Sequence, residues 1–194
     1  MKTIPSFAVF VILVSATPVS SLDISTGLSS RGSFLVSRME GFSLKSQGGN
    51  ALELATLMEF SRVSLSALLG WHGIEPSNLA GGWGYRGLEG THGRLQVEFP
   101  LQIHEERQKE PGFVQPGWGI GAGGFFSRYK ETNQVIFYPS ALISLYLDVY
   151  VLSPYVRIRY TLPAEWYFRK DLEASFSMGI GIGILYTWTR RTGL

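Results

Sequence analysis

The chain has 194 residues and no cysteine, and its 17 Lys and Arg nearly balance 15 Asp and Glu. These values exclude a disulfide scaffold and a thiolate metal site, and they argue against a nucleic-acid binder, which carries a clustered basic excess. Charged residues make up 16% of the chain, against about 25% in typical soluble domains, while 45% of the residues are hydrophobic. The composition therefore indicates an ordered chain of one domain or one small barrel.

The N-terminus predicts a secretory signal peptide. Lys2 precedes an apolar run of eleven residues, and Val19 and Ser21 suit the −3 and −1 positions of a cleavage site. The apolar run is too short for a transmembrane helix, which needs about 20 residues. We predict cleavage after Ser21, with a signal peptide at 1–21 and a barrel domain at 22–194.

The first half of the predicted barrel is the less regular. Strands are expected at 26–45 and 51–71, joined by a hairpin turn at 47–50 with the sequence Gln-Gly-Gly-Asn. Apolar residues change parity near Ser61, which indicates a tight turn or a β-bulge. A division at Ser61 also places the long loop 72–82 at the outer side of a barrel.

The second half alternates cleanly between apolar and small or polar residues. In the last strand, Ile180, Ile182 and Ile184 share one face, and glycines take the positions between them. The remaining strands are expected at 83–105, 115–129, 134–149, 153–168 and 172–190. Seven segments result, and since bacterial barrels have an even number of strands, we divide one at Ser61 to obtain eight. A division at residues 90–93 is the alternative, and further divisions would give ten.

The composition of the face opposite the apolar one indicates which solvent the apolar face meets. It carries Gly, Ser, Thr and Tyr with scattered Arg and Glu, whereas a water-facing surface would be rich in Lys, Glu and Asp. Aromatic residues lie near the strand ends of the apolar face, as in the interfacial girdles of membrane barrels. These are Trp118, Phe126, Trp166, Phe168, Tyr186 and Trp188. We predict an all-β protein, a single antiparallel up-and-down transmembrane β-barrel; a secreted, soluble lipocalin-like barrel that binds a small apolar ligand is the alternative.

The signal peptide, the eight alternating strands and the turn-and-strand sequence at 153–157, Ser-Pro-Tyr-Val-Arg, resemble the small bacterial outer-membrane β-barrels of the OmpA/OmpW-like group. The resemblance implies an outer-membrane location, contact with outer-membrane lipid and insertion by the barrel assembly machinery. Such barrels usually end on an aromatic residue. This chain departs from that pattern, because its last aromatic is Trp188 and it ends at Leu194.

Charged residues on the predicted inner face form the candidate functional set. They are Glu53, Glu59, Arg62, Arg94, Glu98, Asp148, Arg157, Arg159 and Glu165. Buried charges must pair or be hydrated, and eight strands leave a lumen that side chains just fill. The ladder therefore predicts either a salt-bridged plug or the lining of a narrow, porin-like conduit, and the sequence leaves both open.

No catalytic residue, cofactor or metal site is predicted. His72 and His92 are expected in exposed loops, and His104 near a strand end. No spacing of residues in the sequence indicates a Ser-His-acid catalytic set or a cluster of metal ligands. A lipid-modifying barrel enzyme is the least favoured class, and we expect a monomeric, non-enzymatic protein with a structural or narrow-pore role.

Overall fold

The computed structural model describes residues 23–38, 45–60, 63–74, 88–101, 111–128, 135–152, 155–168 and 174–189. They form one closed barrel of eight antiparallel strands. The strands are β1 (Asp23–Arg38), β2 (Lys45–Glu59), β3 (Ser64–Ile74), β4 (Leu88–Pro100), β5 (Val114–Arg128), β6 (Val135–Leu152), β7 (Val156–Tyr167) and β8 (Ala174–Thr189). Within these ranges, no helix has the length and apolar character needed to cross a membrane.

Every strand pairs with its neighbour in sequence, and the barrel closes between its first and last strands. Asp23 of β1 pairs with Thr189 of β8, and the ladder runs without a break to Arg38 and Ala174. Closure leaves no unpaired sheet edge, which is the condition for a β-structure to cross a bilayer. The predicted up-and-down barrel of eight strands is confirmed.

The division of the second predicted strand at Ser61 is confirmed as well. β2 ends at Glu59 and β3 begins at Ser64, and the backbone N–H of Phe60 donates to the carbonyl of Val63 at 2.8 Å. The alternative division at 90–93 is wrong, because β4 runs through these residues and pairs on both sides.

The hairpin turn predicted at 47–50 is wrong. These residues belong to β2, where Gln47 pairs with Leu35 and Asn50 with Gly32 of β1. Turn chemistry is a local preference, and pairing of the segment with β1 overrides it. The glycine at position 49 has a packing reason, because a Cβ there would lie 3.1 Å from Nε2 of His72 and 3.0 Å from the Ser33 hydroxyl.

Because the sequence alternates, the barrel has an inverted distribution of polarity, with apolar side chains outside and charged side chains inside. Large apolar side chains such as Leu95 and Ile180 are exposed on the outside, whereas Glu98, Asp148 and Arg157 are buried inside. This is the reverse of a soluble domain, which buries large apolar side chains and leaves most charged side chains exposed.

Five of the predictions fall wholly or partly on residues outside those described above. These are the signal peptide at 1–21, Arg62, the loop at 72–82 beyond Ile74, His104 and the tail at 190–194. Cleavage after Ser21 stays a prediction.

Candidate functional site

The charged side chains of the lumen form two networks at different heights. We call Glu59, Glu98, Asp148, Arg157 and Arg159 the lower network, since Glu59 immediately precedes the turn between β2 and β3. The upper network consists of Arg31, Glu53, His92, Arg94 and Glu165. Each network joins strands that are not neighbours in the sheet.

Arg157 is at the centre of one half of the lower network. Its two terminal nitrogens lie 3.0 and 2.8 Å from the two carboxylate oxygens of Glu59. The same guanidinium donates to the Tyr150 hydroxyl at 2.6 Å and to the Ser25 hydroxyl at 3.1 Å. Two parallel contacts to one carboxylate are the strong form of an arginine ion pair.

Arg159 organises the other half of the lower network. It donates to both oxygens of Asp148, at 2.7 and 2.8 Å, and its Nη1 lies 2.9 and 2.8 Å from the two oxygens of Glu98. Its guanidinium carbon also lies 4.5 Å from the ring centre of Tyr146, within cation–π distance. The amide of Gln96 donates to Glu98 at 2.6 Å.

In the upper network, two guanidinium groups alternate with two carboxylates. Arg94 lies 2.8 Å from Glu165 and 3.3 Å from Glu53. Arg31 makes the longer contacts, 3.5 Å to Glu53 and 3.6 Å to Glu165. Formal charges cancel among these four, which is the arrangement that makes burial of the ions tolerable.

Two serine hydroxyls and the imidazole of His92 complete the coordination of the upper carboxylates. Glu53 accepts a hydrogen bond from Ser29 at 3.0 Å and lies 2.8 Å from Nε2 of His92. Glu165 accepts from the hydroxyl of Ser140 at 2.6 Å. These contacts replace water around the buried charges and fix the positions of the side chains.

The structure brings together eight of the nine predicted inner residues, and the ninth, Arg62, lies outside the described ranges. Sequence reasoning missed Arg31, which is only 2% exposed. The signal was its parity, because Arg31 shares it with the small residues Ser29 and Ser33 on the first strand. The apolar pattern of that strand was too irregular to assign its faces.

The prediction of exposed loops around His72 and His92 is wrong. Both side chains are buried in the lumen, on β3 and β4, at 1% and 3% exposure. The nearby glycines gave these segments the appearance of loops, but they are paired strand residues. His92 has the parity of Arg94 and Glu98, and this shared parity could have identified it as an inner residue.

His72 also contacts a serine of β1, over the intervening strand β2. The Ser33 hydroxyl lies 2.8 Å from Nε2 of His72, and the His72 ring meets that of His92 edge to face at 5.8 Å between centres. A hydroxyl hydrogen-bonded to an imidazole is one part of a Ser-His-acid catalytic site, but a hydrolase of this type also needs an acidic group that orients the imidazole. At this level Glu53 is engaged by His92 and the two arginines.

The six predicted girdle aromatics lie on the outer side of the wall, near both ends of the barrel. Trp166 and Phe168 are at the end of β7, and Phe126 is at the same end of β5, where it packs against Phe137 at 4.6 Å between ring centres. Toward the opposite end, Trp118 stacks on Phe99 at 4.6 Å. Tyr186 meets Trp188 there edge to face at 4.9 Å.

Among the described residues, no group of three or more His, Asp or Glu side chains could hold a metal ion. The polar contacts of the lumen described above are ion pairs and hydrogen bonds among protein side chains.

No protein-family model matches the sequence, and no curated protein matches it by sequence similarity. Solved structures do match. The crystal structure of Neisserial surface protein A has a TM-score of 0.58 at 7% identity, covering 83% of this chain and 96% of that one. Ail, the attachment invasion locus protein of Yersinia pestis, has a TM-score of 0.50 at 12% identity, covering 84% and 98%. At these identities the fold alone is shared, and it is the fold of the small bacterial outer-membrane barrels, as the sequence resemblance predicts.

Proposed function

From the fold of the small outer-membrane barrels, we propose that this protein is an outer-membrane barrel with a structural role, whose lumen is closed by the two ion-pair networks. The proposal has two parts, the solvent of the outer face and the state of the lumen. Each part has its own experiment.

The outer face supports a membrane location. Along the middle of the strands it presents side chains such as Leu28, Leu95 and Ile182, all exposed and all apolar. In water, a continuous apolar belt of this kind would cause the protein to aggregate, whereas the hydrocarbon of a bilayer solvates it. A soluble lipocalin-like barrel needs the opposite arrangement, with apolar residues inside and charged residues outside.

The ion pairs across the lumen support a closed barrel rather than a conduit. Arg157 on β7 reaches Glu59 on β2, and Arg94 on β4 reaches Glu165 on β7. Both contacts cross the interior, and an eight-stranded barrel has an interior only wide enough for side chains. An ion would have to break these charge-assisted pairs in order to pass. The buried cross-lumen pairing is the observation that carries this part of the proposal.

The membrane location is tested by extraction and electrophoresis. The mature chain should require detergent for solubility and should migrate faster on gels before boiling than after it, because a folded barrel is more compact than its unfolded chain. A protein that stays soluble and monomeric without detergent would contradict the location.

The closed lumen is tested by reconstitution into planar bilayers. We expect no single-channel steps from protein whose folding the gel shift has verified. Steps of reproducible size would contradict the closed lumen and favour the narrow-pore alternative, without changing the membrane location.

A further inference from the structure

The outer face of the barrel carries an open groove where the pairing of β7 with β8 is interrupted. Ala164 pairs with Met178, but the register has no pairs for Leu162 and Pro163, the two residues before it. Proline has no backbone N–H to donate to a ladder, so its position explains the interruption. Both unpaired residues line the groove.

The groove has a volume of about 930 Å³ and crosses five neighbouring strands, from β6 through β7, β8 and β1 to β2. Four interstrand steps give it a length of about 19 Å. Outward-facing Phe34, Ile143, Leu162 and Ile180 line its sides, and the backbone of Gly179 forms part of its floor. Its volume and largely apolar lining are typical of sites that bind small molecules.

The groove begins at the level of the girdle aromatics and ends near the middle of the wall. Trp166 packs on Phe176 at 5.0 Å between ring centres, and this pair is two positions beyond Ala164 and Met178 of the groove. The far end of the groove includes Leu145, near the middle of the 18 residues of β6. An alkyl chain that enters the groove at the girdle would therefore run toward the centre of the bilayer.

An uncharged polar side chain lies at the girdle end of the groove. Asn50 is exposed on β2, and a Cβ built on Gly32, its partner on β1, would have the Asn50 Oδ1 as its nearest neighbour at 4.0 Å, so the space between them is open. Its partner on β3, Gly73, is covered by the ring of Trp71, since a Cβ there would lie 3.0 Å from Cη2 of Trp71. Asn50 is therefore at the level of a tryptophan ring.

The Asn50 amide is available to a ligand. Within the described part of the chain, no hydrogen bond or ion pair engages it. An amide both donates and accepts, so it suits a hydroxyl, an ester or another amide. None of the described residues that line the groove is charged, and the groove therefore has no partner for a phosphate or a free carboxylate.

The position of Asn50 along the barrel selects the leaflet. The two tight turns at 60–63 and 153–155 lie at the opposite end of the wall. Short turns are periplasmic in outer-membrane barrels, so in the proposed location the groove faces the outer leaflet. The lipid of that leaflet is lipopolysaccharide, whose acyl chains carry hydroxyl, ester and amide groups just below the head group.

We propose that this groove binds one acyl chain of a lipopolysaccharide molecule, with the polar groups at the head of the chain hydrogen-bonded to the Asn50 amide. The apolar groove takes the chain, and the charged head group stays above it in water. The inference rests on the proposed membrane location. The gel shift and the detergent requirement test that location separately from lipid binding.

The experiment is native mass spectrometry of the folded protein, released from non-ionic detergent micelles that contain equal amounts of lipid A and phosphatidylethanolamine. We expect one retained lipid A, held at least about tenfold more strongly than the phospholipid. No retained lipid would overturn the proposal. Equal retention of phosphatidylethanolamine would overturn the choice of lipopolysaccharide, and a lipid-free dimer would identify a second copy of the chain as the occupant instead.

Two variants locate the bound chain. Asn50→Leu removes the polar contact and Gly32→Leu fills the groove beside it, so each should weaken retention of lipid A by about tenfold. The gel shift verifies folding of each variant. Unchanged retention in Asn50→Leu would overturn the role of the amide, and unchanged retention in both variants would overturn the site.

Each variant has a matched control on β4, outside the groove. Thr91 is also exposed and polar, and it pairs with Trp71, so Thr91→Leu repeats the loss of a polar group at the same level. Gly93→Leu repeats the added bulk, since a Cβ on Gly93 would have its nearest contact at 3.9 Å. Both controls should retain lipid A as the unmodified protein does. Equal losses in the controls would place the lipid on the apolar belt at large and contradict the proposal.

Discussion

Arg157 and Glu59 are 98 positions apart in sequence, yet both terminal nitrogens of the arginine contact the carboxylate, at 3.0 and 2.8 Å. The two residues belong to β7 and β2, with β8 and β1 between them in the wall. The pair therefore spans the lumen, and its loss would leave a buried charge on each side of the barrel.

Removing Arg157 should destabilise the barrel strongly. Arg157→Met removes the two-point contact of Glu59, whereas Asp148 keeps Arg159, and loss of one member of a buried pair costs about 3–5 kcal/mol. Urea unfolding in micelles, followed by the gel shift, measures the cost. The double variant with Glu59→Gln should lose less than the sum of the two single variants, because each single change already removes the pair. Additive losses, or a cost of Arg157→Met below about 1 kcal/mol, would show that the pair contributes little.

A charge on the outer face should be costly only at membrane depth. Leu95, in β4, and Leu101, just beyond its end, are similarly exposed, at 69% and 64%. In a bilayer, Leu95→Arg should cost about 2–4 kcal/mol and Leu101→Arg about 0–1 kcal/mol, because the penalty of a charge falls toward the interface. Unfolding in lipid vesicles gives both values. Equal, small effects would indicate that this face meets water.

Inward-facing and outward-facing glycines should respond differently to alanine. A Cβ on Gly121 would lie 2.6 Å from Cβ of Gln96, whereas one on Gly93 would have its nearest contact at 3.9 Å. We expect Gly121→Ala to destabilise by about 1–3 kcal/mol, as overpacking does. Gly93→Ala should be neutral or slightly stabilising, since alanine loses less backbone entropy than glycine. Equilibrium unfolding compares the two, and equal effects would contradict the tight packing of β5 against β4.

The two networks should close the lumen independently. Arg157→Ala combined with Arg159→Ala removes both guanidinium groups of the lower level, so we expect this variant to remain silent in planar bilayers. Adding Arg94→Ala removes a bridging guanidinium from the upper level as well and should produce small single-channel steps. Conductance of the first variant would show that the upper network does not close the lumen. A silent triple variant, folded by the gel shift, would assign closure to the side chains that remain, such as Arg31 and Tyr146.

Much of this protein could be predicted from sequence because a β-strand has a period of two. The alternation around Ile180, Ile182 and Ile184 fixes which residues share a face, and the reversal at Ser61 marks the turn that makes the strand number even. Composition indicates which solvent the apolar face meets, because an opposite face of Gly, Ser and Tyr with scattered charges is better suited to a barrel interior than to a surface in water. Fold, strand number and the inward position of eight charged residues follow from these local signals.

Other features depend on which strands close the barrel and in what register. Parity places Arg157 and Glu59 on the inner face but says nothing of their distance, which the register of four consecutive strands determines. His72 and His92 lie among glycines that resemble a loop, and pairing with the neighbouring strands is what makes these segments part of the wall. The same holds for the surroundings of Pro163, which has no pairing partner on β8. A proline in a strand signals a missing hydrogen bond, but the facing Gly179 and the stem of Arg31 behind it are brought there by tertiary structure alone.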